Sequence, residues 1–421
     1  MIADGDRPQP MSRYLVSAVE QALWSLMNLG VNLVLIRLCA PADYGAFAFW
    51  SATAFVLASV QNALTVCHLQ VLPPGLGTDP ARLNVERLMH AVTGIFLAVA
   101  AVGALGGAIW LKLRGSALGA PAAALFVPGF LLQQYIRALA FSRGRATTAA
   151  GQTGAVTLAA ALFLAMAVGT TKLLSADAVL ICIGGAYALV GIAGAARAFA
   201  GQFEGGPWRG LSAYRDFAVQ SGWIFLGVTT TELLARFYAF LVAGWYGAAV
   251  LASLSATQLL LRPVPLLATS WSMVARADLA HRREAGEWPA FVRICAIALA
   301  GGLIVAAAWT GLTHQFWPLL SAKVFGGKYG ADAWMVWLWG ISAALSFGQV
   351  VVSAALQALR AFRALALANA AASAVAAIAV VVIARLYGYG GAIAGTASGQ
   401  AFEFVVMGAL LLSLIAARRR A

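Results

Sequence analysis

Charged side chains stand at helical spacing inside stretches of this 421-residue chain that are apolar enough to cross a bilayer. Glu232 and Arg236 are four residues apart in one stretch, and Arg262 lies in the next, followed by Pro263 and Pro265. A charge at the centre of a membrane span costs about 2.5–3.5 kcal/mol, so such residues usually face a bundle interior or a watery cavity. There, an arginine can hold an anionic group such as phosphate, and a carboxylate can take up a proton or a cation.

The three arginines of the candidate binding set differ in their surroundings. Arg262 has no carboxylate four residues away, and the prolines that follow it kink a helix and free backbone groups, which makes it the best candidate for an anion. Arg236 can bind an anion or form a structural ion pair with Glu232, with equal weight on each. Arg37 lies near the end of the first apolar run, where extension of its side chain to the interface is the favoured interpretation.

Amide side chains form further stripes at steps of three and four residues. They predict hydrogen bonds to a polar substrate or to water; the candidates are Gln21, Asn28, Asn32, Asn62 and Gln258. Glu20, Glu232 and Glu403 are candidates for binding a coupling proton or cation. The alternative for every stripe is hydrogen bonding between helices. That alternative is favoured for the uncharged set Ser342, Ser346, Gln349, Ser353 and Gln357.

The elements that carry these residues are membrane-spanning helices. The chain is 62% hydrophobic and 10% charged, whereas a soluble domain is about 25% charged. A bilayer core needs about 20 apolar residues per helix. Twelve runs reach that length: 15–39, 45–69, 88–111, 118–140, 147–170, 176–199, 216–242, 247–271, 289–312, 332–358, 364–386 and 390–416.

The distribution of basic residues predicts the orientation. With the N-terminus inside, 19 of the 28 lysines and arginines lie in cytoplasmic connections and 7 on the other side, so both termini are expected in the cytoplasm. The basic residues of the cytoplasmic connections explain most of the net charge of +13, so this charge requires no nucleic-acid partner. The predicted domains are a cytoplasmic tail (1–14), a six-helix bundle (15–200), a glycine-rich linker (201–215), a second six-helix bundle (216–417) and a basic tail (418–421).

A weak internal repeat supports two equivalent halves. "DYGAFAFWSATAF" from Asp43 is followed about two hundred residues later by "WYGAAVLASLSAT" from Trp245. Tyr44 and Tyr246 correspond and are expected to open the second helix of each half. Six helices per half is an even number, so the halves should be related by a pseudo-twofold axis along the membrane normal.

Enzyme motifs are missing from the sequence. The chain has no GxxxxGK[ST] phosphate-binding motif, and its four histidines and four cysteines are scattered without metal-ligand spacing. No close pair of acidic residues suggests glycosyl transfer. The sequence therefore predicts a protein that is not an enzyme and that has no cofactor and no metal.

Four segments resemble the Wzx-type polysaccharide and O-antigen flippases, within the multidrug/oligosaccharidyl-lipid/polysaccharide exporter superfamily. They are "NLGVNLVLIRLCAPADYGAFAFW" (28–50), "KVFGGKYGADAWMVWLWGISAALS" (323–346), "LQALRAFRALALANAAAS" (356–373) and "LYGYGGAIAGTASGQAFEFVV" (386–406). Each motif is loose, and together they extend over nearly the whole chain. The twelve runs argue against the peptidoglycan-precursor branch, whose members usually have fourteen helices.

The resemblance implies two six-helix bundles that rock between inward-open and outward-open states around a cavity. It implies a lipid-linked, pyrophosphate-bearing oligosaccharide as cargo, and the lipid bilayer and the polymerase and chain-length proteins of a polysaccharide assembly system as partners. It also implies a bacterial inner-membrane location. Three alternatives remain open: a drug or cation antiporter of the same superfamily, a membrane glycosyl- or acyltransferase, and a scaffold of a polymer-assembly complex.

Overall fold

The long apolar runs are helical, as expected for a chain that must satisfy its backbone hydrogen bonds within each membrane segment. The computed structural model describes residues 10–70, 80–170, 173–199 and 211–420. This part of the chain is almost entirely α-helical and contains no strand, only one isolated bridge between Cys39 and Leu174. Most of the predicted tail at 1–14 and of the predicted linker at 201–215 lies outside the described residues.

The chain divides into two compact units, Met1–Thr229 and Thr230–Ala421. The boundary falls inside a helix that follows the predicted linker. Among the described residues, seven α-helices lie wholly within the N-terminal unit: α1 (Pro10–Leu38), α2 (Pro41–Gln61), α3 (Cys67–Gln70), α4 (Pro80–Leu113), α5 (Ala123–Ser142), α6 (Ala146–Thr170) and α7 (Ala176–Ala198).

Helix α5 is the centre of the N-terminal unit and packs against α7, α4 and α2. Gly129 of α5 and Gly184 of α7 permit a close approach of the two backbones, because a Cβ at Gly184 would lie 2.6 Å from the Phe126 Cα. Small residues at helix crossings are typical of membrane bundles, where van der Waals packing replaces the hydrophobic effect.

The helix α8 (Arg215–Tyr246) crosses the boundary between the units. The C-terminal unit continues with α9 (Ala248–Leu259), α10 (Pro263–Glu284), α11 (Trp288–Gln315), α12 (Trp317–Lys323), α13 (Met335–Ala358), α14 (Phe362–Tyr387) and α15 (Tyr389–Arg420). Helix α15 packs along α14 and α13, and α13 also contacts α10 and α11. Buried apolar residues of α10, α11, α13 and α15 form the core of this unit.

Ten helices in the described part of the chain are long and apolar enough to cross a membrane, or eleven if the bent pair α9 and α10 is one span. The protein is therefore a multi-pass membrane protein. Helix α8 covers the predicted run 216–242 but is not among the ten.

Two local features differ from the predicted helices. Tyr44 lies in the first turn of α2, but Tyr246 is the last residue of α8, so the prediction that Tyr246 opens a helix is wrong. Gly247, with φ of +85°, makes the turn there and α9 begins after it. In addition, the second predicted run is interrupted by a π-helical segment at Asn62–Val66, a distortion that is frequently found at functional sites.

Candidate functional site

The polar stripe of α1 makes its hydrogen bonds within the N-terminal unit. Asn28 donates to the Trp24 carbonyl at 2.9 Å, and Asn32 donates to the Asn28 carbonyl at 2.7 Å. The Tyr44 hydroxyl donates to Asn32 Oδ1 at 3.0 Å, which fixes the amide against the start of α2. Asn28 and Asn32 are half-buried, so part of each amide stays accessible.

Glu20 is buried and forms a two-point ion pair. Arg137 of α5 donates from Nε to Glu20 Oε1 at 2.6 Å and from Nη2 to Oε2 at 2.7 Å. The Thr153 hydroxyl of α6 donates to Oε1 at 2.6 Å, and Gln21 Oε1 accepts from Arg137 Nη2 at 3.1 Å. This arrangement ties α1 to α5 and α6.

Two further candidates of the N-terminal unit lie apart from that ion pair. Asn62 is the first residue of the π-helical segment, and its carbonyl accepts the Cys67 amide five residues later. Arg37 is exposed in the last turn of α1. Exposure at a helix end agrees with a side chain that extends towards the membrane interface.

In the C-terminal unit, four candidates lie on α8, α9 and the start of α10. Arg236 Nε is 3.0 Å from Glu232 Oε2, and both side chains are about one-third exposed. The Tyr238 hydroxyl donates to Gln258 Oε1 at 2.9 Å and lies within electrostatic reach of both Arg236 and Arg262. Tyr238 therefore lies in a polar region together with Gln258 and both arginines.

Arg262 stands at the break between α9 and α10. The two helices meet at 51°, and Arg262 is the N-cap of α10, directly before Pro263. The proline has no backbone N–H to continue the α9 pattern, so the sequence-based prediction of a kink here is confirmed. The Arg262 side chain is exposed.

A second polar feature of the C-terminal unit is a cavity of about 400 Å³. Its lining includes Arg276 of α10, Gln349 and Gln357 of α13, and Gln400 and Glu403 of α15. The uncharged stripe of α13 provides much of one wall and also binds α15. Ser342 donates to Gln400 Oε1 at 2.7 Å, and Gln400 donates to Ser346 at 2.9 Å.

Glu403 interacts with amide groups in this cavity. Gln349 Nε2 donates to Glu403 Oε2 at 2.7 Å. With the amide of Asn369 in the orientation that satisfies its neighbours, Asn369 donates to Glu403 Oε1 at 3.0 Å. Arg276, the basic side chain in the lining, bonds to Gln357 Oε1 at 3.1 Å and to the Ser272 carbonyl. Glu403 is thus a carboxylate held by neutral donors beside an accessible volume.

Sequence reasoning missed Arg137, Thr153, Arg276 and Asn369 as partners of the candidates. Arg137 and Arg276 lie near predicted helix ends, among the basic residues that the sequence places on the cytoplasmic side. Arg137 nonetheless lies inside the predicted run 118–140, a signal that it occupies a helix. Among the described residues, no group of three histidine, cysteine or acidic side chains is placed to hold a metal ion.

Comparisons with known proteins show the fold. No protein-family model and no curated protein matches the sequence. The structure is similar to an inward-facing multidrug resistance MATE-family transporter of the MOP superfamily, with a TM-score of 0.73 and 10% identity over 96% of this chain and 99% of that one. It is also similar to the lipid II flippase MurJ in an inward closed conformation, with a TM-score of 0.71 and 11% identity over 93% and 86%.

A third similar structure is the MATE multidrug transporter DinF-BH, with a TM-score of 0.63 and 14% identity over 98% of each chain. Both drug transporters and a lipid flippase therefore share this fold. The fold alone does not distinguish between their cargoes, so the choice depends on the polar residues.

Proposed function

We propose that this protein is a flippase that moves a polyprenyl-pyrophosphate-linked oligosaccharide from the cytoplasmic to the periplasmic leaflet by alternating access, for polysaccharide biosynthesis. The membrane would be a bacterial inner membrane. The helical fold, similar to that of MurJ and of MATE transporters, supports a transporter of this kind. The pairing of Glu20 and Glu232 with arginines supports the pyrophosphate-bearing cargo.

The observation that carries the proposal is that two of the three acidic candidates, Glu20 and Glu232, are paired with arginine. Glu20 is held by Arg137 and Glu232 by Arg236. A cationic cargo needs a carboxylate that is available for it, whereas a pyrophosphate needs positive charge. Burial of the pyrophosphate charge without nearby positive charge would cost a large amount of free energy.

The roles of individual residues follow from this charge balance. Arg262, with Arg236 and Arg37, would offset the charge of the pyrophosphate. The amides of Gln21, Asn28, Asn32, Asn62 and Gln258 would bind sugar hydroxyls or water. Arg262 is the principal residue because its side chain is exposed at a helix break.

The proposed topology has twelve membrane spans. They are the ten long apolar helices, the bent pair α9 and α10 as one span, and α8. Both termini would be cytoplasmic, and the two six-helix halves would be related by a pseudo-twofold axis along the membrane normal. The arginine distribution supports the orientation. The polymerase and chain-length proteins of a polysaccharide assembly system would be the protein partners.

Among the three acidic candidates, Glu403 is the preferred site for a coupling proton. Glu20 and Glu232 are each paired with an arginine. Glu403 is bound by the neutral amides of Gln349 and Asn369 and lines a cavity. A carboxylate in such surroundings can be protonated without breaking an ion pair.

The proposal is tested by deleting the gene in the source cells and extracting lipid-linked oligosaccharides from each leaflet. We expect complete repeat units to accumulate on the cytoplasmic side while surface polysaccharide disappears. Accumulation of incomplete units would instead place the protein before export, as an enzyme or a scaffold.

A drug antiporter is the second candidate, favoured by the similarity to MATE transporters and by the cavity that contains Glu403. Efflux of a cationic dye from cells that express the protein, together with normal surface polysaccharide in the deletion strain, would establish this function in place of the flippase.

A further inference from the structure

A groove of about 570 Å³ opens in the N-terminal unit, where α5 ends, α6 begins and α7 ends. Arg143 follows α5, Arg145 precedes α6 and Arg197 lies in the last turn of α7. All three arginines line the groove, and no acidic side chain is among the described residues that line it. The distribution of basic residues places this end of the bundle on the cytoplasmic side.

The positive charge of the groove comes chiefly from two exposed arginines. Arg143 Nη2 is 2.6 Å from the buried Glu86 Oε2, so part of its charge is already compensated. Arg145 and Arg197 are exposed at the mouth. The first turn of α6 also lies there and adds the positive end of a 25-residue helix.

The rest of the groove is apolar and continues along the outer surface of the bundle. Gly151 and Ala155 leave space on α6, and Leu189 lines the groove from α7 with 56% of its surface exposed. On α6, Leu158 lies one turn further from the basic end and is 67% exposed; on α7, Ile192 lies between Leu189 and Arg197 and is 61% exposed. Exposed leucine and isoleucine on a membrane helix contact lipid chains, so the groove joins a basic end to a lipid-facing surface.

A polar atom in the groove wall also requires a partner. Gln152 lines the groove, and its Oε1 is buried without a hydrogen-bond partner in the described part of the chain. Buried amide oxygens are normally satisfied. A hydroxyl of a headgroup bound at the groove, reached by rotation of the amide, would satisfy it.

We propose that this groove is a binding site for an anionic glycerophospholipid. Arg145 and Arg197 bind its phosphate, Gln152 accepts from a headgroup hydroxyl, and the surface past Gly151 and Leu189 holds an acyl chain. The site lies within the N-terminal unit and does not depend on the proposed flippase function. Such a lipid would anchor the cytoplasmic end of α5, α6 and α7 in an anionic leaflet.

Native mass spectrometry of the purified full-length protein, titrated with phosphatidylglycerol or phosphatidylcholine, tests the site. We expect tighter binding of phosphatidylglycerol, weakened roughly 10- to 30-fold in the variant R145A/R197A. The matched control is R293A/R363A, which removes two exposed arginines of the C-terminal unit that are also predicted to be cytoplasmic. We expect less than a twofold change in the control.

Two further measurements separate a lipid site from a general phosphate site. Gly151→Leu fills the groove, and a Cβ at Gly151 meets no atom within 4 Å, so the helix can accept the side chain. We expect this variant to lose phosphatidylglycerol binding, and we expect millimolar inorganic pyrophosphate not to displace the lipid from wild-type protein.

Displacement by pyrophosphate, with no effect of Gly151→Leu, would overturn the lipid assignment in favour of a soluble phosphate. Equal binding of both lipids, or equal loss in the two arginine variants, would overturn the site itself. All of these measurements concern lipid binding, so their results do not depend on whether the protein transports an oligosaccharide.

Discussion

Arg137 of α5 forms a bidentate ion pair with Glu20 of α1 inside the N-terminal unit, with N–O distances of 2.6 and 2.7 Å. Glu20 is only 1% exposed, and Arg137 is 17% exposed. The two residues are 117 positions apart in the sequence. The pair therefore joins helices that are distant along the chain and balances a charge that the membrane interior would otherwise oppose.

Removal of one partner of this pair should destabilise the protein strongly. Arg137→Ala leaves Glu20 as a buried charge without its arginine, and we expect a loss of about 3–5 kcal/mol in the free energy of unfolding. Thermal unfolding in detergent measures the effect. The double variant E20A/R137A should be more stable than R137A, because it removes the remaining charge. A double variant less stable than R137A would contradict this account.

Substitution of Arg262 should reduce transport without loss of protein. A hydrogen bond to a charged group contributes about 1.5–3 kcal/mol, so we expect Arg262→Ala to lower polysaccharide export at least tenfold. Arg262→Lys should retain part of the activity, because it keeps the charge but loses the planar fork. Arg363→Ala, at an exposed arginine of α14, is the control. Export at the wild-type level in Arg262→Ala cells with normal protein amounts would refute the binding role.

Glu403→Gln should uncouple transport from a proton gradient. The amide keeps the size of the side chain and much of its contact with Gln349 but cannot exchange a proton. We expect transport into vesicles to lose its dependence on an imposed pH difference. Glu284→Gln, 64% exposed at the end of α10, serves as the control. A Glu403→Gln variant that responds to the pH difference as the wild type does would exclude this carboxylate as the coupling site.

The close packing of α14 and α15 should not tolerate a side chain at Gly399. A Cβ there would overlap Ala376 of α14. We expect Gly399→Val to lower the free energy of unfolding by about 1–3 kcal/mol, the usual cost of overpacking. Gly408→Ala on the same helix meets no atom within 4 Å and should have little effect. Equal unfolding temperatures for the two variants would show that the helices separate more easily than this packing implies.

The features that the sequence predicted well depend on neighbouring residues. Pro263 and Pro265 stand beside Arg262, and the break lies there. Glu232 and Arg236 are four apart on one helix, and they form the ion pair that was one of two alternatives. Local spacing is sufficient in these cases because both partners belong to one helix or one turn.

The features that the sequence did not predict depend on distant residues or on backbone detail. The partner of Glu20 could not be recognised by spacing, since Arg137 belongs to another helix. The π-helical segment at Asn62–Val66 could not be predicted, because it is a change in backbone hydrogen bonding within a continuous apolar run. The turn at Gly247 was also not predicted, because the alignment of Tyr246 with Tyr44 placed the start of a helix there.

Translocation by the purified protein tests the central claim most directly. Proteoliposomes would carry a polyprenyl-pyrophosphate disaccharide with a fluorescent sugar, and a membrane-impermeant quencher would report which leaflet holds it. We predict that wild-type protein transfers the probe far faster than empty liposomes, and that R236A/R262A transfers it at least tenfold more slowly than wild type. Transfer by wild-type protein no faster than in empty liposomes, with transport of a cationic dye in the same vesicles, would contradict the flippase and establish a drug transporter.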